Sequence, residues 1–212
     1  MLRSGQRAAK GPSGEGHKGD GYGAPRIGAR GLGAQEMSQG VLGVIVESEL
    51  FRSRRSLLHR GRRIGTDERV VVKTLREPHP SPALIAWARR EFELLESLSG
   101  VDGVLGVHDF GRSGETVGMA LEDIGGLSLA ELTRESRLPL DEVLRLMSRV
   151  AQTLSNVHAA GVIHKDINPS NIVYNRGTGQ YRIIDFGIAT LLAVEDAPFD
   201  DSRAREGTLA YI

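Results

Sequence analysis

The sequence contains no cysteine, which excludes a disulfide framework and a thiolate metal site. No apolar run approaches the roughly 20 residues that a membrane-spanning helix needs. The basic N-terminus has no apolar stretch behind its charges, so we expect no secretory signal. Lysine plus arginine equals aspartate plus glutamate at 27 each, so no excess charge predicts binding to nucleic acid or to a membrane surface. These absences predict a cytoplasmic protein.

The N-terminal segment has few apolar side chains and much glycine, with 10 of the chain's 27 glycines before residue 37. Such a composition buries too little apolar surface to offset the entropy lost on folding. We therefore predict a disordered Gly/Arg-rich tail over residues 1–38 and an ordered domain over residues 39–212. A basic arm that touches nucleic acid or lipid is an alternative for this tail. Met37 is an alternative start of translation, in which case the upstream residues would not belong to the protein.

Residues 39–124 carry the pattern of a small α+β unit. Segments rich in β-branched or apolar residues predict antiparallel strands at 41–50, 56–64 and 69–75. Apolar residues at helical spacing predict a helix over 80–100, which Gly100 ends. Two further strands are predicted within 103–124. The expected result is a five-stranded antiparallel sheet with one helix.

Residues 125–212 begin with a helical pattern. Apolar spacing predicts a short helix over 128–136 and a longer one over 138–161. A hairpin is then predicted from strands at 172–175 and 181–185. A polar loop lies between the long helix and this hairpin.

The polar loop reads HKDINPSN at residues 164–171, and Asp-Phe-Gly ends the hairpin at residues 185–187. Loops held between rigid elements often carry reactive side chains. Asp166, Asn171 and Asp185 supply two carboxylates and an amide, whose oxygens could hold Mg²⁺ together with phosphate oxygens. A lysine from another strand could neutralise those phosphates, and a glutamate on the first long helix could hold that lysine.

These elements, in this order, resemble the protein-kinase family. The other matching segments are VVVK at 70–73, Glu91 in the first long helix, MALEDIGG at 119–126 and EGTLAYI at 206–212. The resemblance covers about residues 41–212. It implies a bilobal protein kinase-like fold. Its N-lobe, over 39–124, would contain a five-stranded sheet and helix C. A mainly helical partial C-lobe would follow over 125–212, truncated in the activation segment.

The loop variant and the EGTLAYI segment look most like one bacterial group. In that group the kinase-like domain lies at the N-terminus of very large proteins that also carry an AAA-type ATPase region, GAF domains and a sensor histidine kinase. The resemblance therefore implies a fragment of a longer signalling protein. Its partners would be a protein substrate and those further domains. Thr208 in Glu-Gly-Thr fits a serine/threonine kinase that uses ATP and Mg²⁺.

The resemblance also implies catalytic roles for individual residues. Lys73 would contact the α- and β-phosphates of ATP and pair with Glu91, for which Glu93 and Glu96 are competitors in the same helix. Asp166 would accept or orient the proton of the attacking hydroxyl group.

The cofactor sites follow from the same resemblance. Asn171 and Asp185 would bind Mg²⁺. Glu122 and Ile124 would offer backbone groups to adenine, and Leu121 would guard the back of that pocket.

His164 is expected to be structural rather than an acid or base. The resemblance implies that it stacks with Phe186 and Leu95 in a buried column that links the two lobes. A core histidine is also the ordinary interpretation of a histidine beside apolar residues.

The phosphate-covering loop departs from the family's pattern. Gly-x-Gly-x-x-Gly is expected between the first two strands, because glycine lets backbone N–H groups approach phosphate closely. Residues 50–56, LFRSRRS, contain no glycine. Arg52, Arg54 and Arg55 could supply charge instead, or they could form an exposed hairpin tip.

Two positions in the polar loop also depart from the pattern. Asn168 stands where most protein kinases have a lysine that steadies the γ-phosphoryl group, so transition-state stabilisation should fall. Lys165 replaces an arginine that often clamps a phosphorylated activation loop. Lysine lacks the bidentate geometry of arginine, so we do not expect switching by phosphorylation.

Three functions fit these patterns. The leading one is an ATP-dependent serine/threonine protein phosphotransferase domain. The second is a catalytically weak or inactive kinase-like module that senses nucleotide or recruits partners in a larger sensor protein. The absent glycines and Asn168 favour this second function. The third is a small-molecule phosphotransferase resembling the aminoglycoside kinases, and Glu-Gly-Thr-x-x-Tyr at 206–211 argues against it.

Overall fold

The computed structural model describes residues 42–191. The predicted tail at 1–38 and the EGTLAYI segment at 206–212 lie outside these residues. The described chain forms a five-stranded antiparallel sheet with one helix, followed by two more helices and several short strands. This arrangement confirms the predicted α+β, kinase-like fold. No helix within residues 42–191 is long and apolar enough to cross a membrane.

One antiparallel sheet contains the strands β1 (Val44–Arg52), β2 (Ser56–Arg63), β3 (Arg69–Leu75), β4 (Val107–Ser113) and β5 (Thr116–Glu122). Their spatial order is β1-β2-β3-β5-β4. The first strand begins three residues later than predicted, because Leu42 and Gly43 have φ of 55° and 70°, which an extended strand does not accommodate. It ends at Arg52 rather than at residue 50, because Arg52 still pairs with Leu57.

Helix α1 (Pro82–Ser97) packs against β4 and β5. It begins after Ser81, whose Oγ accepts the N–H of Leu84 at 3.3 Å. Gly100, with φ of 93°, follows its end. The inner face of the helix carries the buried residues Ala88, Glu91, Leu94 and Leu95. The helix therefore places one acidic side chain, that of Glu91, against the sheet.

The rest of the described chain comprises β6 (Leu127–Ser128), α2 (Leu129–Glu135), α3 (Leu140–Ala159), β7 (Val162–Ile163), a 3-10 turn (Pro169–Asn171), β8 (Ile172–Asn175), β9 (Gln180–Ile183) and β10 (Thr190–Leu191). The predicted hairpin is β8 and β9. Its second strand ends before residue 185, because Asp185 has a left-handed φ of 64°. The sequence pattern did not predict β6, β7 and β10, since two residues show no periodicity.

One apolar cluster joins the sheet and α1 to the elements that follow. From the first part it contains Leu95, Leu98, Met119 and Leu121, and from the second Val157, Ile172, Ile183 and Phe186. The polar loop and the Asp-Phe-Gly segment are anchored at this cluster, because Ile172 follows the loop and Phe186 belongs to the segment. The same core therefore supports the polar loop, the Asp-Phe-Gly segment and the sheet strands that carry predicted site residues.

Candidate active site

Lys73 in β3 and Glu91 in α1 form a buried ion pair. The Lys73 Nζ lies 2.6 Å from the Glu91 Oε1, and the two side chains are 12% and 3% exposed. The competing glutamates of the same helix, Glu93 and Glu96, lie on its exposed side. The helical register therefore selects Glu91 as the partner of the lysine.

Asp185 is the second carboxylate beside Lys73, with its Oδ1 3.6 Å from the Lys73 Nζ. Burial alone lowers the pKa of Lys73, but the charges of Glu91 and Asp185 outweigh burial and hold this pKa above its ordinary value. Burial raises the pKa of Glu91, and the Asp185 charge adds to this, against the opposing charge of Lys73. Lys73 is therefore an ammonium group at neutral pH, held between two acidic side chains.

The backbone conformation at Asp185 points the side chains of Asp185 and Phe186 in different directions. With φ of 64°, Asp185 adopts the left-handed conformation, which is unusual for a residue with a side chain. Its carboxylate is 51% exposed, whereas Phe186 is buried at 1%. The N–H of Ile184 donates to the carbonyl of Asn171 at 2.9 Å and ties this segment to the polar loop. This turn leaves the Asp185 carboxylate accessible at the surface of the site.

Two asparagine side chains hold Asp166 in the polar loop. The Asn171 Nδ2 donates to the Asp166 Oδ2 at 2.9 Å, and the Asn168 Nδ2 donates to the Asp166 Oδ1 at 3.0 Å. The Asn168 Oδ1 accepts the N–H of Ser170 at 2.9 Å and so caps the 3-10 turn. Both asparagines are buried. The sequence did not reveal that Asn168 contacts Asp166, although a spacing of two residues permits such a contact.

His164 is buried and makes two hydrogen bonds that define its neutral form. Its Nδ1 accepts the N–H of Asp166 at 3.2 Å, so its Nε2 carries the proton and donates to the carbonyl of Ile184 at 3.0 Å. Burial lowers the pKa of His164, which also favours the neutral ring. The ring packs edge-on against Phe186, with centroids 4.5 Å apart. These contacts agree with a structural role.

The predicted adenine-contacting residues lie at and just beyond the end of β5. Leu121 is buried in the core. The N–H of Glu122 donates to the carbonyl of Gly106 at 2.9 Å. The carbonyl of Ile124 accepts from the Asn175 Nδ2 at 2.6 Å. These protein contacts occupy the N–H of Glu122 and the carbonyl of Ile124. Adenine would therefore have to contact the other backbone groups of these two residues.

Two arginines that the sequence did not reveal bind side chains of this connecting segment. Arg182 in β9 binds both carboxylate oxygens of Glu122 at 2.7 Å. Arg60 in β2 binds the buried carboxylate of Asp123 at 2.6 and 3.2 Å. Adjacent residues are therefore tied to strands of different sheets. Local sequence carries no signal for these pairs, since 60 and 63 residues separate the partners.

The sequence patterns also indicated no role for Trp87, the only tryptophan in the sequence. Its Nε1 donates to the carbonyl of Gly187 at 3.0 Å. A Cβ atom at position 187 would lie 2.9 Å from the Trp87 Cζ2, so this close contact requires glycine. The tryptophan therefore joins α1 to the last residue of Asp-Phe-Gly.

The comparisons with known proteins agree with this geometry. The family model of the protein kinase domain matches residues 55–212. The serine/threonine-protein kinase PknA of Mycobacterium tuberculosis is 36% identical over 151 residues, which are 68% of this chain and 34% of that protein. The serine/threonine-protein kinase pkn2 of Myxococcus xanthus is 29% identical over 140 residues, which are 65% of this chain and 17% of that protein.

A human relative, the cell division cycle 7-related protein kinase, is 31% identical over 126 residues, which are 59% of this chain and 21% of that protein. The chain spans about a third or less of the length of these curated relatives. The matched region contains the ion pair of Lys73 and Glu91, the polar loop and Asp185. This chain belongs to the protein kinase domain family.

Proposed function

We propose that this chain is an ATP-dependent serine/threonine protein phosphotransferase domain that uses Mg²⁺. The observation that supports it most is the position of Lys73 between the buried Glu91 and the exposed Asp185. This arrangement supplies a fixed positive charge for phosphate oxygens beside a carboxylate that can reach a metal ion. The serine/threonine kinases among the relatives support a hydroxyl group of a protein as the acceptor.

The residues present fit a magnesium site. The amide nitrogen of Asn171 is used by Asp166, so its oxygen is the atom that remains for a cation. Asp185 adds an exposed carboxylate. Within residues 42–191 no three His, Asp or Glu side chains form a metal cluster. Magnesium at phosphotransfer sites is usually held by one or two protein ligands plus phosphate oxygens and water, and it neutralises phosphate charge there.

Asp166 is the residue that we assign as catalytic base. Its two carboxylate oxygens accept amide N–H groups from Asn168 and Asn171, so its orientation is set before substrate arrives. The proton of the acceptor hydroxyl would pass to Asp166 while that hydroxyl oxygen bonds to the γ-phosphorus. The bond from this phosphorus to the β-γ bridging oxygen then breaks, and ADP leaves.

The adenine ring would bind beside the segment that follows β5. The N–H of Ile124 has no acceptor within residues 42–191 and is the group that we assign to the base, together with the carbonyl of Glu122. Leu121 would border the back of this pocket.

A second function has support of its own. The amide of Asn168 binds Asp166, and no lysine stands at that position to steady the γ-phosphoryl group. This observation favours a nucleotide-sensing or partner-binding module with weak or no catalysis.

The wider setting rests on the family resemblance alone. We propose a cytoplasmic signalling protein with a tail over 1–38, lobes over 39–124 and 125–212, and further AAA ATPase, GAF and histidine kinase domains. Mass spectrometry of the native polypeptide would test this setting. A product without those domains would contradict it.

The test of the proposed function uses the full-length polypeptide that carries this chain. Calorimetry measures binding of Mg·ATP, and transfer from γ-labelled ATP to a generic serine/threonine protein substrate measures catalysis. We expect binding and transfer, with transfer abolished but binding retained in Asp166→Asn. Binding without transfer by the unaltered protein supports the sensing module. Absence of nucleotide binding contradicts both functions.

A further inference from the structure

The turn between β1 and β2 already uses backbone donors that a glycine-rich loop would offer to phosphate. The N–H of Ser53 donates to the carbonyl of Ser56 at 2.9 Å. The Ser53 Oγ accepts the N–H groups of Arg55 and Ser56 at 3.1 and 2.9 Å. A phosphate cradle requires N–H groups that point outward and are not bonded. At this turn, phosphate recognition therefore has to come mainly from side chains.

The three arginines of the hairpin differ in their partners. Arg52 binds both carboxylate oxygens of Glu49 at 3.0 and 2.6 Å, and this contact lowers the pKa of Glu49. Arg54 and Arg55 are exposed, and neither has a carboxylate partner within residues 42–191. Among the described residues, no acidic side chain neutralises the guanidinium groups of these two arginines.

Arg55 lies beside an aromatic ring of α1 that also contacts residues of the candidate active site. Its guanidinium carbon lies 5.8 Å from the centroid of the Trp87 ring, and the Lys73 Nζ lies 5.9 Å from the same centroid. That ring also binds the carbonyl of Gly187, two residues after Asp185. A guanidinium group stacks favourably on an aromatic face. The Trp87 ring therefore lies within about 6 Å both of the Arg55 guanidinium carbon and of the Nζ of the lysine that we assign to phosphate.

We propose that Arg55 is a phosphate clamp that binds the terminal phosphates of a Mg·nucleoside triphosphate through its guanidinium group instead of backbone amides. The inference rests on the proposed function, because it needs a nucleotide in this cleft. Guanidinium groups donate paired N–H bonds to phosphate oxygens and keep their charge at all physiological pH values. The clamp adds positive charge at a site that lacks the family's lysine at position 168.

The experiment measures the dissociation constants of Mg·ATP and of adenosine for the full-length polypeptide and its variants. Arg55→Gln is expected to weaken Mg·ATP binding about tenfold, the size of one charge-assisted hydrogen bond, and to leave adenosine binding unchanged. Arg52→Gln is the matched control. It removes the same charge from the same hairpin, but from an arginine that Glu49 neutralises, and less than a twofold change is expected.

Two further variants test how the clamp is held. Arg55→Lys keeps the charge without the paired donors and should bind Mg·ATP with intermediate affinity. Trp87→Leu removes the aromatic ring and should weaken Mg·ATP more than adenosine.

The outcomes separate this inference from the proposed function. Equal Mg·ATP affinities of Arg55→Gln and Arg52→Gln would overturn the clamp alone. Equal losses of ATP and adenosine binding in Arg55→Gln would also overturn it, because phosphate recognition would then not be involved. If the unaltered protein binds neither ligand, the proposed function fails first and the clamp fails with it. Melting temperatures of all variants show whether a loss reflects unfolding.

Discussion

The indole nitrogen of Trp87 donates a hydrogen bond of 3.0 Å to the carbonyl oxygen of Gly187, 100 residues away. The same helix carries Glu91, and Gly187 ends the segment that carries Asp185. The contact therefore connects the two acidic partners of Lys73 through the backbone elements that hold them. Trp87 is the only tryptophan among these 212 residues, and the part of the emission that is lost in Trp87→Phe reports on this junction.

Replacing Gly187 with alanine should break this junction. The new Cβ would meet the Trp87 Cζ2 at 2.9 Å, so the indole ring has to move and lose its hydrogen bond. We expect a red-shifted tryptophan emission, a stability loss of about 1–2 kcal/mol and weaker Mg·ATP binding. Gly177→Ala in the exposed β8–β9 turn is the control and should leave the emission unchanged. An unshifted spectrum in Gly187→Ala would contradict the contact.

Removing the charge of Lys73 should make stability depend on pH. In Lys73→Met the buried Glu91 carboxylate loses its partner, and we expect a loss of about 3 kcal/mol in the free energy of unfolding at neutral pH. Burial already raises the pKa of Glu91, and losing Lys73 raises it further. A raised carboxyl pKa gives stability at low pH that disappears as pH rises through the folded-state value.

Urea unfolding between pH 5 and 8 measures this effect. The deficit of Lys73→Met should grow as pH rises. The double variant Lys73→Met/Glu91→Gln carries no buried charge, so it should recover stability and lose the extra pH dependence. A deficit that is constant across this range would argue against a buried, unpaired carboxylate.

Protonation of His164 should destabilise the fold in acid. Burial lowers the pKa of His164 below its ordinary value of about 6.5. A lowered pKa gives stability that is complete above the unfolded-state value and is lost as pH falls through the folded-state value. His164→Gln should therefore show a smaller decline in stability below about pH 6.5 than the unaltered protein. An identical decline in His164→Gln and in the unaltered protein would contradict a buried neutral histidine.

The pair formed by Glu122 and Arg182 should contribute measurable coupling between β5 and β9. Both carboxylate oxygens are bound at 2.7 Å, and the side chains are 29% and 18% exposed. A double-mutant cycle with Glu122→Gln and Arg182→Met should give a coupling energy of about 1–2 kcal/mol. The pair of Glu142 and Arg176, whose arginine is 44% exposed, is the control and should give a smaller coupling energy. Equal couplings would contradict the special position of the first pair.

Asn168 should affect turnover more than nucleotide affinity. Asn168→Ala removes one of the two side-chain amide donors that orient the Asp166 carboxylate. We expect kcat to fall about 10- to 100-fold with little change in the KM for ATP. Ser170→Ala is the control, because the loop uses the backbone N–H of Ser170 for the cap. An unchanged kcat in Asn168→Ala would exclude a positioning role.

The order and type of the longer elements could be predicted because they depend on local pattern. Strand β3 has the predicted bounds, and α1 lies within the predicted 80–100 because Ser81 caps it and Gly100 follows it. The ends of β1 and β9 were misplaced. Positive φ angles at Leu42 and Asp185 end the extended backbone there. A leucine or an aspartate in a sequence does not by itself predict such an angle.

The chain's own sequence determined the fold class and the sheet strands, since periodicity, capping and short connections act within a few neighbouring residues. Its motifs indicated the site residues through their resemblance to the protein-kinase family. Only the tertiary structure decided what several of those residues do. It turned Asn168 toward Asp166, left Arg55 but not Arg52 without an acidic partner among residues 42–191, and placed Trp87 on Gly187. Most of these choices depend on which surfaces pack together across long stretches of chain, and no local pattern encodes such packing.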